Sequence, residues 1–415
     1  MVEGLRGQIP SQRSIDLLGE LHRRAPNDPN VAKALIFLLW QLESISRLDA
    51  MLEMCVKRFN DPAFFEWWIL FALIWDEPSV ADKRIEYAIR AHGTRLVFLR
   101  HKIDNLIAQG KFDLAESLAR SIEEAAPQPT LQQGFRRLLK NIRIQSAINA
   151  EWQRLRSDGD PRDYELYYIN MDKDIHRAHR MERQLKSWSI PFERIAAVKG
   201  SLLPGSASAA LTRGESTNMK GTLGCFLSHI SAWERLIESD LDYAMILEDD
   251  AKFLLPPPPS LAAVCKEDFD VLFINHRMAF APEEQSDPRI QIKSVKEVVS
   301  FKPPSWRAAG TDGYFISRTG AGRLINWVRE DGFWGDIDWR LIFYALGKEW
   351  RTCLPTDGFA QTAVSHHARL CKEHEAIRAF VLTPALIGQH RGGSARHSMN
   401  GFAHAHLEIK DNPGT

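Results

Sequence analysis

Cysteine is scarce in this sequence, charge of either sign is not in excess, and no long apolar run is present. The five cysteines (Cys55, Cys225, Cys265, Cys353 and Cys371) are scattered, odd in number and never in CxxC spacing. That argues against a disulfide scaffold or a zinc site and fits a reducing compartment. Lys and Arg together number 53, as do Asp and Glu, so there is no electrostatic reason to expect a nucleic-acid partner. The basic cluster Arg136, Arg137, Lys140 and Arg143 has helical spacing and reads as a solvated face. The longest apolar run, Trp67 to Trp75, falls far short of the roughly 20 residues a membrane helix needs. Residues 1–13 hold no apolar core of a signal peptide. A cytoplasmic protein is expected, with peripheral attachment to the inner face of the membrane left open. No G-x-G-x-x-G follows a strand, which argues against a dinucleotide-binding oxidoreductase.

What is present is ordinary globular composition, 44% hydrophobic and 26% charged, in a chain of 415 residues, long enough for two or three domains. Residues 1–155 read as all helix. Apolar residues recur at three and four spacing, as in Leu106, Ile107, Ala115, Leu118, Ala119 and Ile122. Asp28-Pro29 recurs 33 residues later as Asp61-Pro62, and the same step leads to Thr94-Arg95 and then to Pro127. A period near 34 built from helix pairs is the mark of tetratricopeptide-like arrays. The segment Leu99 to Pro127 resembles one such unit, with Gly110, Phe112, Ala115 and Pro127 at its spacing. Trp40, Trp67, Trp68 and Trp75 lie in these helices, either as core between them or as an aromatic groove for a partner.

From residue 162 to 390 the pattern changes to strands alternating with helices, the signature of an α/β sheet with function at strand C-terminal ends. Leu166–Ile169, Phe192–Val198, Tyr243–Leu247, Val271–Ile274 and Tyr314–Ser317 read as strands. Helices are expected over 174–188, 224–238, 320–329 and 337–346. Residues 391–415, rich in Gly, Ser, His and Asn, read as an irregular tail.

The strand at 243–247 runs into Glu248-Asp249-Asp250. Three adjacent carboxylates repel one another unless a cation or solvent relieves them. Oxygen ligands suit a hard ion, Mn²⁺ or Mg²⁺, that can hold a diphosphate and stabilise a departing phosphate. A solvated turn is the plainer alternative.

Four segments stand in order: Tyr168-Ile169-Asn170-Met171-Asp172 with Arg177; Phe192-Glu193-Arg194-Ile195-Ala196-Ala197-Val198-Lys199-Gly200; Gly221-Thr222-Leu223-Gly224-Cys225-Phe226-Leu227-Ser228-His229; and Leu247-Glu248-Asp249-Asp250. Together they resemble glycosyltransferase family 25, the lipooligosaccharide and collagen β-galactosyltransferase group. The segment Gly310 to Ala321 adds a weaker likeness. The sequence departs from the family pattern where Met171 replaces Leu, Thr222 replaces Glu and Lys199 replaces Asp. The last two changes touch charge near the donor site.

The resemblance implies a GT-A-type, Rossmann-like domain that moves a hexose, galactose first, from a UDP-sugar to an acceptor hydroxyl with inversion. It implies Asp250 as metal ligand with Glu248 on the same side, while Asp249 points the other way, to ribose or a bridging water. Asn170, Arg177, Gly200, Ser228 and His229 are expected at the donor. Arg177 suits the diphosphate, unless it is a surface arginine of a basic helix. Ser228 and His229 could equally be structural, and Cys225 is expected to pack a turn. An inverting transfer needs a general base. Asp338 is the first candidate, Asp336 the second and Asp312 the third, although both Asp336 and Asp338 also suit a helix start. His366 or His367 is expected to add an imidazole to the metal. The acceptor would be a surface glycan or lipid-linked sugar. The alternatives are a protein O-glycosyltransferase whose helical repeats grip polypeptide, and an inactive transferase acting as an interaction scaffold.

Overall fold

The structure is a computed structural model that describes residues 12–389, apart from 42–43, 126–127, 158–161, 189, 214–219, 263, 280–289, 303–305, 307–308 and 357. Pro127 and the tail at 391–415 therefore lie outside the described residues. The described residues form two compact units, one within residues 12–68 and the other within residues 69–389.

Eight helices come first: α1 (Gln12–Arg24), α2 (Pro29–Gln41), α3 (Ile45–Arg58), α4 (Pro62–Trp75), α5 (Pro78–His92), α6 (Leu96–Ala108), α7 (Phe112–Ala125) and α8 (Pro129–Ser157). The first helix of each pair begins at residue 12, 45, 78 or 112, a step of 33 or 34 residues. That is the period carried by the Asp-Pro recurrence. Proline opens α2, α4, α5 and α8, where its missing N–H costs nothing and its fixed φ suits the first turn. Gly110, at φ +69°, makes the tight turn between α6 and α7. Ala115 and Ala119 of α7 are fully buried, allowing close approach to Ile103 of α6 and Phe135, Leu138 and Ile142 of α8. Among the described residues no helix is long and apolar enough to cross a membrane.

The sheet follows. Its strands are β1 (Glu165–Asn170), β2 (Glu193–Ala196), β3 (Tyr243–Glu248), β5 (Val271–Phe273), β6 (Gln291–Ser294), β7 (Gly313–Ser317) and β8 (Ala379–Thr383), in spatial order β2-β1-β3-β7-β5-β8-β6. β1, β2 and β3 are mutually parallel, while β7 runs antiparallel to both β3 and β5. A small antiparallel pair, β4 (Ala251–Phe253) with β9 (Ile387–Gln389), stands beside it. Helices cover both faces, as in α/β folds, and the short helices α10 (Gly205–Leu211), α12 (Val295–Ser300) and α15 (Trp350–Cys353) complete the domain. Alternation along the strands explains the two cores. Tyr167, Ile169, Ala244, Ile246, Tyr314 and Ile316 face α11 (Lys220–Glu238), α13 (Arg318–Asp331) and α14 (Ile337–Leu346). Leu166, Tyr168, Met245, Leu247 and Phe315 face the other way, toward α9 (Ile175–Lys186). Ile144, Ile148 and Trp152 of α8 join this second core, so the last helix of the array is also a wall of the sheet domain. This is an all-α region followed by a mixed-sheet domain of GT-A type.

Candidate active site

The acidic triplet lies where β3 ends, beside the end of β1 and the start of β7. Each of its three carboxylates has a different keeper. Asn170, the last residue of β1, donates from Nδ2 to Asp249 Oδ2 at 2.8 Å. Arg177 of α9 donates to Asp249 Oδ1 at 3.1 Å, and Arg180 donates to the Asp249 carbonyl at 2.9 Å. Arg194 of β2 in turn donates from Nε to Asn170 Oδ1 at 2.9 Å, fixing the amide. Thr311 Oγ1 lies 2.9 Å from Glu248 Oε1 and 2.5 Å from Asp338 Oδ1. A hydroxyl has one proton, so it serves one of these two carboxylates at a time. Gln389, at the end of β9, donates to Asp250 Oδ2 at 2.7 Å, while Asp250 Oδ1 is buried with no hydrogen-bond donor.

A second carboxylate-guanidinium pair closes the site. Arg277 donates from Nε and Nη2 to the same Asp312 oxygen at 3.0 and 2.8 Å, and the other oxygen, Oδ2, has no donor. Asn275 holds this corner together, donating to the carbonyls of Gly310 and Gly313 and accepting from the backbone N–H of Arg277 and Met278. A Cβ on Gly310 would lie 2.2 Å from Arg277 Nε and 2.5 Å from Asp312 Oδ1, so only glycine admits the pair.

Electrostatics follow from burial. Desolvation pushes Asp249 up to about 6 against the pull of Arg177, and pushes Asp312 up to about 7 against the pull of Arg277. Asp250 is likewise raised, first by burial and then by the neighbouring Glu248. Two buried carboxylate oxygens without donors, on Asp250 and Asp312, sit in one cluster of like charges. A divalent cation would relieve both the repulsion and the missing contacts, so the residues present fit the hard-ion site that the family implies.

Several expected site residues have other surroundings. Arg177 is buried and paired with Asp249 rather than presented to solvent, so it positions the triplet. Asp249, expected to point to ribose or a bridging water, has both carboxylate oxygens engaged by Asn170 and Arg177. Gly200 is a close-packing residue. A Cβ there would lie 1.8 Å from the Lys220 carbonyl oxygen, and one on Gly224 would lie 2.4 Å from the Val198 carbonyl oxygen. Ser228 ties the same two segments, accepting from Val198 N–H at 2.8 Å and donating to the Gly224 carbonyl at 2.6 Å. Lys199 is exposed.

His229 is fully buried, with Nδ1 2.9 Å from the Tyr314 hydroxyl and Nε2 3.4 Å from Glu248 Oε1. Asp338, in the first turn of α14, is buried and joined to Glu248 through Thr311, whereas Asp336 is the half-buried N-cap residue of that helix. His367 lies on α16 (Phe359–Leu370), not on a loop. It accepts from Arg340 Nε at 3.0 Å and stacks on Trp334 at 4.9 Å, and no described contact joins it to the acidic residues. Burial and the Arg340 charge hold its imidazole neutral. His366 is exposed beside Arg369. Neither histidine is brought to the triplet, because their helix packs on α14 through this aromatic cluster.

Sequence reasoning missed Arg277, Thr311 and Gln389. Arg277 and Gln389 belong to no recognisable motif, Thr311 lies in the weaker 310–321 likeness without a role assigned to it, and the pairing of β5, β7 and β9 with distant partners brings them in. Trp75, at the end of α4, lies under the Arg180 guanidinium at 4.4 Å, so one tryptophan of the helical region packs on the arginine that holds Asp249.

Residues 164–334 match the family model described as glycosyltransferase family 25 (LPS biosynthesis protein). This part of the chain is similar to the family 25 glycosyltransferases. Over 178 residues it is 32% identical to procollagen galactosyltransferase 1 of Danio rerio and 29% identical to procollagen galactosyltransferase 2 of Mus musculus. Over 185 residues it is 28% identical to procollagen galactosyltransferase 1-B of Xenopus laevis. Each alignment covers 39% of this chain and 27 or 28% of the relative, so the chain spans little more than a quarter of the length of these curated relatives. The family 25 match begins at the start of β1 and ends at Trp334, and it takes in every residue of the acidic cluster except Asp338 and Gln389.

Proposed function

We propose that the protein is a metal-dependent, inverting hexosyltransferase that takes galactose from a UDP-sugar and passes it to an acceptor hydroxyl of a cell-surface glycan or lipooligosaccharide. It would work from the cytoplasmic side, free or peripherally attached to the membrane. The observation that carries this reading is the buried carboxylate cluster at the end of β3, with Asp250 Oδ1 lacking any donor. Asp250 and Glu248 would hold Mn²⁺ or Mg²⁺, and the ion, when bound, would offset negative charge on the departing nucleoside diphosphate. Asn170 and Arg177 keep Asp249 fixed so that its neighbours hold their places.

Asp338 is the base of this proposal. Its buried carboxylate accepts from Thr311 and so stands within the acidic cluster, where it would take the proton of an acceptor hydroxyl. Reorientation of the Thr311 hydroxyl between Asp338 and Glu248 would link the base to the metal-side carboxylate without a net change of charge. A protein acceptor is the second reading, supported by relatives named for procollagen and by the helix pairs that precede the domain.

The test is UDP release from a panel of UDP-sugars with Mn²⁺, with EDTA, and with Asp250→Ala. One donor should be hydrolysed slowly, with the activity abolished by EDTA and reduced at least 100-fold in the variant. Absence of release from every donor, together with no calorimetric binding of UDP plus Mn²⁺, would overturn the proposal.

A further inference from the structure

Cys225 and His229 stand four residues apart on α11, on one helix face, and Glu248 ends the strand beside that face. One ligand atom from each of the three lies within 4.8 Å of the other two. His229 is fully buried, and its Nε2 has no hydrogen-bond partner, the Glu248 oxygen at 3.4 Å being outside hydrogen-bond geometry. A buried imidazole nitrogen left in this state destabilises the fold. The other ring nitrogen is set for ligation. Nδ1 lies 2.9 Å from the Tyr314 hydroxyl, which also accepts from Trp233 Nε1 at 2.8 Å. With Nδ1–H donating to that oxygen, Nε2 presents a lone pair toward Cys225 and Glu248, the outer-shell arrangement that fixes a ligating histidine.

We propose that Cys225 Sγ, His229 Nε2 and the Glu248 carboxylate form a binding site for a soft divalent ion, Zn²⁺ by its ligand chemistry, separate from a hard ion on Asp250. Thiolate, imidazole and one carboxylate with a fourth position open is a zinc-type set, and thiolate selects against Mn²⁺ and Mg²⁺. Tetrahedral bonds of about 2.0–2.3 Å place ligand atoms roughly 3.5 Å apart. Closing from at most 4.8 Å to that spacing needs only side-chain movement. Binding releases the Cys225 thiol proton to solvent, and the imidazole enters neutral. The bound ion would draw Glu248 toward α11 and so compete with the hard ion for the same carboxylate. The site does not depend on the donor reading, although Glu248 serves in both.

The test is a Co²⁺ titration of the full chain, followed by near-ultraviolet thiolate-to-cobalt charge transfer and visible d–d absorption, then displacement by Zn²⁺. The band should saturate at one equivalent and disappear in Cys225→Ser and in Cys225→Ala, both with unchanged circular dichroism. It should weaken in His229→Gln. No band in the wild type, or a band that survives in both Cys225 variants, would overturn the proposal, the latter by assigning the ion to another cysteine. Asp250→Ala separates the two readings. It should keep the cobalt band while losing Mn²⁺-dependent UDP binding. Wild-type protein that shows the band but never binds UDP with Mn²⁺ would sink the donor proposal alone, and the reverse result would sink the soft-ion site alone.

Discussion

Asp312 concentrates the chemistry of this site in one side chain. It is fully buried, one oxygen takes both hydrogen bonds from Arg277, and the other has none. Desolvation raises it to about 7, so the metal-free fold prefers the protonated acid. The sign of the linkage follows. A carboxyl raised in the fold contributes its full stabilisation below its unfolded value near 4, and that contribution is lost as pH rises through about 7. Asp249, raised to about 6, acts in the same direction. The metal-free protein should therefore lose thermal stability between pH 5 and pH 8, and Asp312→Asn should flatten that dependence. Scanning calorimetry at the two pH values, in EDTA, checks it, and an equally steep dependence in the variant would contradict the assignment. At this scale the sequence was only partly legible. The triplet and Asn170 announced themselves by motif. Arg277 and Gln389 did not, because each reaches the site across a chain separation that no local pattern encodes.

Elements were more legible than side chains, since periodicity is a local property. The strand at 243–248, the helix at 337–346 and the helix ending at 238 fall within a few residues of their expected bounds. β4, β6, β8 and β9 were not read. They are three to five residues long, and their stability comes from partners far away in sequence, as in Phe273 with Val381 and Phe253 with Ile387. The family 25 glycines turn out to be packing devices. Gly200 and Gly224 let the loop after β2 lie directly on α11, and Ser228 locks the contact. Gly200→Ala should cost about 3 kcal/mol or more, because the obstacle is backbone and cannot swing away. Gly322→Ala, with nothing near its Cβ inside α13, should instead gain roughly 0.5–1 kcal/mol. Urea melts of the two variants check both signs together. Equal effects would show that the close approach is not a constraint.

Across the whole sequence, the compositional change near residue 160 separates helix pairs from strands and helices, and the structure keeps that order. What it adds is that α8, which ends before the change, packs on both sides of it. Phe135, Leu138 and Ile142 pack in the helical core, while Ile144, Ile148 and Trp152 pack on the sheet. Trp152→Ala lies outside the family 25 match, which begins at residue 164, yet it should destabilise the sheet domain by about 3–5 kcal/mol. Calorimetry of the transition that, on the proposed function, UDP and Mn²⁺ shift to higher temperature would detect the loss. A loss confined to a transition insensitive to those ligands would assign Trp152 to the helical core alone. No composition-based boundary foresees this, since both halves of α8 have ordinary helical periodicity.

A helix that belongs to two cores makes the two regions poor candidates for exchange. Swapping the array for another at the point where the composition changes would strip the sheet of one wall and leave its aromatic and aliphatic residues exposed. A workable splice has to fall upstream of α8, in the short connection after α7, so that the transferase carries its own last helix with it. The unit of inheritance and of engineering is then longer than the unit that sequence comparison recognises.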